Sequence, residues 1–192
     1  LHTMYFEAGA DISETNTFSA TVIAQDDYKL DAKAVWDINY EGARIGREVA
    51  DAFTAKEPGK PRFLAGSIGP LNKMLSMSSD VNDPGARLVT FDQVYEAYRH
   101  QVKALNEGGV DLYLIETITD TLNCKACIKA IKDLLAGDTV RADTGAWKSR
   151  ISGWREQFPL HYEQSEPGEA LKPQYCLEQL RDSAPEGTIL VS

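Results

Sequence analysis

The chain has 192 residues, of which 43% are hydrophobic and 26% charged, a balance typical of a globular protein with one sizeable core. Its formal net charge is -9 and it has no block of Lys or Arg, which argues against a nucleic-acid or anionic membrane partner. No apolar run approaches the roughly 20 residues of a membrane helix, no signal peptide is recognisable, and three cysteines are too few for a disulfide framework, so we expect a cytoplasmic protein.

Strand and helix patterns alternate along the first two thirds of the chain. A short helix that closes at Gly9 leads into a strand over residues 11–15. Apolar residues at three- and four-residue spacing then predict a long helix over residues 26–55. The segment PRFLAGSIGP predicts a second strand, and the polar stretch LNKMLSMSSDVNDPGARLVT predicts a long loop.

The same alternation continues after this loop. A helix is predicted in FDQVYEAYRHQVKALNEGG, with the Gly pair as its stop, followed by a strand in DLYLIE and a helix in NCKACIKAIKDLL. Strict alternation of this kind predicts parallel strands joined by right-handed crossovers.

Two stretches about a hundred residues apart repeat one pattern, EAGADISETNT and NEGGVDLYLIETITDT. In parallel α/β folds functional groups collect where strands end, so we expect Glu14 and Glu116 at the carboxyl ends of two strands, facing one side. Each unit takes roughly fifty residues, too many for eight units in this chain. The prediction is an α/β fold, a partial (β/α)8 TIM barrel with three parallel strands, followed by a mostly helical and irregular C-terminal segment.

The sequence changes character after about residue 136, where polar and Pro-containing segments dominate. The segment KPQYCLEQLRDSAP predicts a helix with Pro173 near its first turn, and GTILVS predicts a buried strand. We therefore expect two domains, residues 1–135 and 136–192.

Three segments, EAGADISETNTF, PRFLAGSIGPLNK and SSDVNDPGARLVTFDQVYEAYRHQVKALNEGGVDLYLIETITDTLNCKA, carry a resemblance. In this order they resemble the homocysteine-binding domain of cobalamin-dependent methionine synthase, over residues 1–135. The resemblance implies a zinc-dependent S-methyltransferase barrel in which the homocysteine thiolate binds zinc and attacks a methyl group carried by cobalamin. It also implies homocysteine as substrate and the remaining methionine synthase domains as partners.

The resemblance further implies that Glu116 binds the amino group of the substrate, and that Glu14, Asn16 and Thr17 line the same pocket. A carboxylate at a strand end can pair with an ammonium group, and a neighbouring amide or hydroxyl can orient the amino acid. The residues alone also allow a plainer interpretation, in which both glutamates accept hydrogen bonds from nearby backbone N–H groups.

The cysteines depart from the pattern of that family. Its zinc is held by three cysteines that include an adjacent pair, and this chain has no adjacent pair. Cys124 and Cys127 lie three apart on a predicted helix, where we expect them to pack as small apolar residues, and Cys176 lies in another segment. We therefore predict no metal ligands, no catalytic residue and no methyl transfer by this chain alone.

The C-terminal segment SGWREQFPLHYEQSEPGEALKPQYCLEQLRDSAPEGTILVS resembles another family. It is similar to the part of the acetohydroxyacid (acetolactate) synthase large subunit that enters the thiamine-diphosphate-binding domain, without the cofactor motif. Two alternatives follow. The chain is either a fused fragment without catalysis that serves as a binding or assembly module, or a fragment of a thiamine diphosphate-dependent acetolactate synthase.

Overall fold

The structure is a computed structural model that describes residues 1–136, 145–159, 162–163, 165–166 and 168–185. The chain divides into two units, Leu1–Thr139 and Val140–Ser192. In the described part of the first unit, helices and strands alternate in the order α1 His2–Glu7, β1 Ile12–Glu14, α2 Val22–Gln25, α3 Ala32–Lys56, β2 Phe63–Ile68, α4 Phe91–Glu107, β3 Leu112–Ile115 and α5 Thr121–Leu135.

The three strands form one sheet in the order β1-β2-β3, and both pairs are parallel. This confirms the predicted α/β fold with three parallel strands. The long loop predicted between β2 and α4 is also free of helix and strand.

The prediction of a single helix over residues 26–55 is wrong at its start. A 3-10 turn, Asp26–Tyr28, comes first, and Lys29 ends it in the left-handed conformation with φ 57°. The helix α3 begins at Ala32, because the Asp31 carboxylate accepts the Ala34 N–H at 2.8 Å and so caps the helix.

The end of α4 uses two glycines in succession. Gly108 caps the helix, and its N–H donates to the carbonyl of Ala104 at 2.9 Å. Gly109 then adopts φ +93°, a conformation that residues with a Cβ rarely adopt. The chain thereby turns directly from α4 into β3, as the Gly pair in the sequence predicted.

The hydrophobic core lies between one face of the sheet and the helices α3, α4 and α5. Its buried members come from all of these elements: Ala43, Leu64, Ile68, Val94, Tyr98, Val102, Leu105, Ala126, Cys127 and Ala130. Cys127 is fully buried in this core, which confirms the packing role predicted for it, and Cys124 is half-buried.

The opposite face of the sheet carries the residues that alternate with the core residues. Leu64 and Ile68 face the core, so Phe63, Ala65 and Ser67 lie on the other face. Ile12, Phe63 and Leu112, which share that face by register, keep 52%, 41% and 36% of their surface exposed. In a closed barrel this face is the interior.

The amino ends of β2 and β3 are joined to α3 through Asp111. The Oδ2 atom of Asp111 accepts the Leu64 N–H at 2.7 Å and a hydrogen bond from Arg47 Nη1 at 2.5 Å. Arg47 also pairs with Asp51 one turn further along α3, at 2.8 Å. One carboxylate therefore connects three segments that are far apart in the sequence.

The described part of the second unit contains two helices, α6 Gly145–Gln157 and α7 Pro173–Ser183. Pro173 is in the first turn of α7, as predicted, whereas α6 was not predicted. Trp147 and Trp154 of α6 contact edge to face with ring centroids 5.6 Å apart. The strand predicted in GTILVS lies outside the described residues, and the resemblance of this unit to acetolactate synthase stays a prediction.

Among the residues that the structure describes, no helix combines the length and the apolar character needed to cross a membrane.

Candidate functional site

The candidate site lies where β1, β2 and β3 end, and Ser67 is at its centre. Regular pairing of β1 ends at Glu14, but the side chains of two threonines extend the hydrogen bonding along β2. Thr15 Oγ1 accepts the Ser67 N–H at 3.0 Å, and Thr17 Oγ1 donates to the Ser67 carbonyl at 2.8 Å. Both backbone groups of Ser67 are thus held by hydroxyl groups.

Glu116, the residue directly after β3, approaches Ser67 from the other side. The Ser67 hydroxyl donates to Glu116 Oε1, and the Glu116 N–H donates to the Ile68 carbonyl at 3.1 Å. The side chain is half-buried. No hydrogen bond to its second oxygen, Oε2, is formed within the described residues, so one carboxylate oxygen remains available to a ligand.

The backbone is strained immediately after Glu116. Thr117 has φ 60°, and a β-branched residue in the left-handed region is a conformational outlier. Such a residue costs about 1–3 kcal/mol and persists only where the surrounding structure imposes it. Outliers of this kind cluster at active sites and ligand clamps, which marks the end of β3 as a candidate site.

Glu14 is on the same face of the sheet as Glu116 but at a different position along the strand direction. Glu14 pairs in register with Ala65, and Ala65 with Leu112, so Glu116 lies four residues further along β3. At about 3.3 Å per residue this is an offset of roughly 13 Å along the strands. Glu14 instead lines a groove of about 330 Å³ with Leu1 and with residues of α1 and β1: His2, Tyr5, Ile12 and Ser13.

The two other predicted site residues differ in their exposure. Asn16 is exposed, two residues beyond Glu14 and between the two threonines that hold Ser67. Thr17 is buried: its hydroxyl bonds to Ser67, its carbonyl accepts the side-chain amide of Gln101 at 2.8 Å, and its methyl group lies beside Gly42 of α3. Thr17 therefore supports the strand end from the helix side of the sheet.

The cysteines do not fit the zinc site of the family pattern. Burial raises the pKa of the Cys127 thiol to about 12, and the nearby Cys124 adds to this, so Cys127 stays protonated at neutral pH. Cys176 belongs to the second unit. Over the described ranges, no three His, Cys, Asp or Glu side chains are placed to hold a metal ion.

Sequence reasoning missed Ser67, Thr15 and Asp120. Ser67 was recognisable only as a polar residue in a buried strand, since its contact with Glu116 spans 49 positions. Asp120 is 4% exposed and caps α5 by accepting the N–H groups of Leu122 and Asn123. Its position just before an apolar helical pattern was the available signal.

Comparison with known proteins places this architecture in a family. A family model of homocysteine S-methyltransferases matches residues 1–152, past the domain boundary predicted near residue 135. The fold is similar to the homocysteine methyltransferase MmuM from Escherichia coli in its metallated form, with 25% identity, a TM-score of 0.54, and coverage of 70% of this chain and 45% of MmuM.

The oxidized form of MmuM supports the same fold, with 24% identity, a TM-score of 0.53, and coverage of 71% of this chain and 45% of that protein. The chain thus spans less than half the length of these solved structures. The family match covers more than half of the chain, and we conclude that the chain belongs to the homocysteine S-methyltransferase family.

Proposed function

We propose that this chain forms the part of a homocysteine S-methyltransferase that binds the amino group of homocysteine, at the carboxyl ends of β2 and β3. The observation that supports this is Glu116, whose carboxylate is oriented by the Ser67 hydroxyl while Oε2 is left for a ligand. A carboxylate in this position forms a charge-assisted hydrogen bond with an ammonium group. Family membership supports homocysteine as the amino acid.

The other predicted residues have distinct roles in this proposal. Asn16, which is exposed between Thr15 and Thr17, would donate its side-chain amide to the substrate carboxylate. Thr17 keeps Ser67 in place, and Ser67 in turn orients Glu116. Glu14 faces the groove at the edge of β1 and would contact only a ligand that extends along the sheet.

The reaction proposed for the whole enzyme is methyl transfer to sulfur. The homocysteine thiolate attacks the methyl carbon, the S–C bond forms, and the bond to the donor breaks with its electron pair left on the donor, which gives methionine. We propose a donor of the methylcobalamin type, with the other methionine synthase domains as partners. This part of the proposal is supported by the sequence resemblance alone.

Activation of the thiol is not accounted for by the described residues. A zinc ion would act as a Lewis acid that keeps the sulfur deprotonated, but the sequence has no adjacent cysteine pair, and Cys127 is buried and protonated. The residues on β1, β2 and β3 therefore account for binding and orientation of homocysteine. We propose that the chain alone binds homocysteine without transferring a methyl group.

Calorimetric titration of homocysteine into wild-type chain and Glu116→Gln tests this proposal. The variant keeps the size of the side chain and removes its charge, so we expect the dissociation constant to rise about 10- to 100-fold. Glu107→Gln, the same change at the exposed end of α4, is the matched control and is expected to bind as the wild type does.

A second ligand shows whether Glu116→Gln removes only the contact with the amino group or damages the site in general. 4-Mercaptobutyrate is homocysteine without its amino group, so Glu116→Gln should not weaken its binding. Equal loss of affinity for both ligands, or no loss for homocysteine, would contradict the assignment of Glu116.

A further inference from the structure

The loop over residues 69–90 begins beside Glu116 and is held in place by specific contacts. Gly69 follows Ile68, whose carbonyl accepts the Glu116 N–H. The Tyr98 hydroxyl donates to the Gly69 carbonyl at 3.2 Å. Loops of this length without helix or strand are uncommon in compact domains and are usually functional or disordered.

Several contacts fix this loop against the rest of the first unit. Leu71 and Leu75 are buried in the hydrophobic core. Arg87 near the end of the loop donates through Nε to the Leu75 carbonyl at 2.7 Å, and so joins the outgoing and returning halves. The loop is therefore a folded part of the unit.

Two residues at the start of α5 hold the outgoing half of the loop. Asp120 Oδ2 accepts the Ser76 N–H at 2.8 Å, and Asp120 Oδ1 accepts the Ser76 hydroxyl at 2.8 Å. The side-chain amide of Asn123 donates to the Lys73 carbonyl at 2.8 Å. We refer to Asp120 and Asn123 as the loop clamp.

The loop clamp also closes the segment that contains Glu116. This segment is held at one end by the backbone bond from Glu116 to Ile68, and four residues later by Asp120. Thr117, with its strained backbone, lies between these two points. Strain of this kind persists only where the surrounding structure imposes it, and the clamp supplies the fixed end.

We infer that Asp120 and Asn123 are positioning residues, which hold residues 73–76 as a wall of the homocysteine pocket and fix the backbone that carries Glu116. This inference deepens the proposed function and rests on it. An ionised Asp suits the role, because both of its oxygens accept hydrogen bonds from Ser76 and from the first turn of α5. An Asn would present an NH2 group to one of these donors.

The test uses Ser76→Ala and Asp120→Asn, with Ser78→Ala as the matched control. Ser78 lies in the same loop, but the hydrogen bonds of its hydroxyl stay within the loop, to the carbonyls of Asp80 and Asp83 and from the Asp80 N–H. Amide hydrogen exchange is measured by mass spectrometry for peptides covering residues 73–76 and 116–118, together with homocysteine affinity by calorimetry. We expect Ser76→Ala and Asp120→Asn to raise both exchange rates and the dissociation constant about tenfold, and Ser78→Ala to change neither.

The outcomes distinguish a failure of the loop-clamp inference from a failure of the proposed function. Unchanged exchange at residues 116–118 in both clamp variants would overturn the positioning role. Faster exchange in these variants, together with the homocysteine affinity of the wild type, would overturn the inference that residues 73–76 form a wall of the pocket. If the wild-type chain binds no homocysteine, the proposed function fails and the pocket wall fails with it, while exchange at residues 116–118 still decides whether the clamp fixes this backbone.

Discussion

Gly108→Ala is expected to destabilise the first unit by about 3 kcal/mol, because α3 and α4 approach each other closely at this residue. A Cβ on residue 108 would lie 2.5 Å from the Ala43 Cβ and 2.6 Å from the Tyr40 carbonyl oxygen. Carbon atoms in contact prefer about 3.5–4.0 Å, so the helices would have to separate by about 1 Å. Overpacking costs typically about 1–3 kcal/mol, and we expect the upper end because neither neighbour is a flexible side chain.

Gly109→Ala is the companion variant, with a different and smaller cost. A Cβ there would meet the Arg47 Cγ at 3.2 Å, which the flexible Arg side chain can relieve. The remaining cost comes from φ +93° and is about 1–2 kcal/mol. The measurement is urea unfolding followed by far-UV circular dichroism, with all variants at one protein concentration.

A second substitution checks the cause of the loss in Gly108→Ala. Ala43→Gly removes one of the two close contacts, so the double variant should lose about 1 kcal/mol less than the sum of the single variants. The reasoning is refuted if Gly108→Ala is as stable as the wild type, or if Gly109→Ala is the more damaging change.

Three further predictions follow from the strand ends and the cysteines. Thr117→Gly is expected to be about 1 kcal/mol more stable than Thr117→Ala in urea unfolding, because only Gly adopts φ 60° without strain. The reverse order of stability would show that residue 117 does not keep this conformation in solution. Burial pushes the pKa of Asp120 upward, but hydrogen bonds from Ser76, Asn123 and Leu122 outweigh it and set the pKa below its ordinary value. The stabilisation by Asp120 should therefore be complete above about pH 4 and disappear as the pH falls through the lower pKa of the folded state. We expect the difference in unfolding free energy between wild type and Asp120→Asn to be smaller at about pH 3 than at about pH 6. Chelator-washed protein is expected to hold far less than one zinc per chain by elemental analysis, and about one zinc that thiol alkylation releases would show that Cys124 and Cys127 bind metal.

The strands β2 and β3 were predictable from the sequence because each is a short apolar run between turn residues and a polar end, whereas β1, with one apolar residue, was indicated by the pattern that it shares with β3. The helix α4 was equally clear, since a Gly pair marks its end in the sequence; the structure adds a capping box of Thr90 and Gln93 at its start. The start of α3 was not, because residues 26–28 suit a helix and only the left-handed Lys29 separates them from it. The helix α6 lacks a regular apolar stripe, so its sequence resembled an irregular segment.

The candidate site was predictable in its residue types and less so in its geometry. The repeated pattern identified Glu14 and Glu116 as strand-end residues, and both lie where strands end. Their offset depends on strand register, which apolar patterning does not determine across parallel strands joined by long crossovers. The contact of Ser67 with Glu116 depends on the same register, and the burial of Thr17 follows from side-chain alternation beyond the end of β1.

The carboxylate of Asp111 has a consequence for the order of folding. Its bonds to Arg47 and Leu64 close chain segments of 64 and 47 residues. The entropy cost of closing such long segments must be met before their contacts stabilise the fold. The helices α4 and α5, which pack against each other through nearer segments, can form earlier. Interactions made after the rate-limiting barrier slow unfolding and leave the folding rate nearly unchanged, so we expect the Asp111 contacts to extend the lifetime of the folded unit.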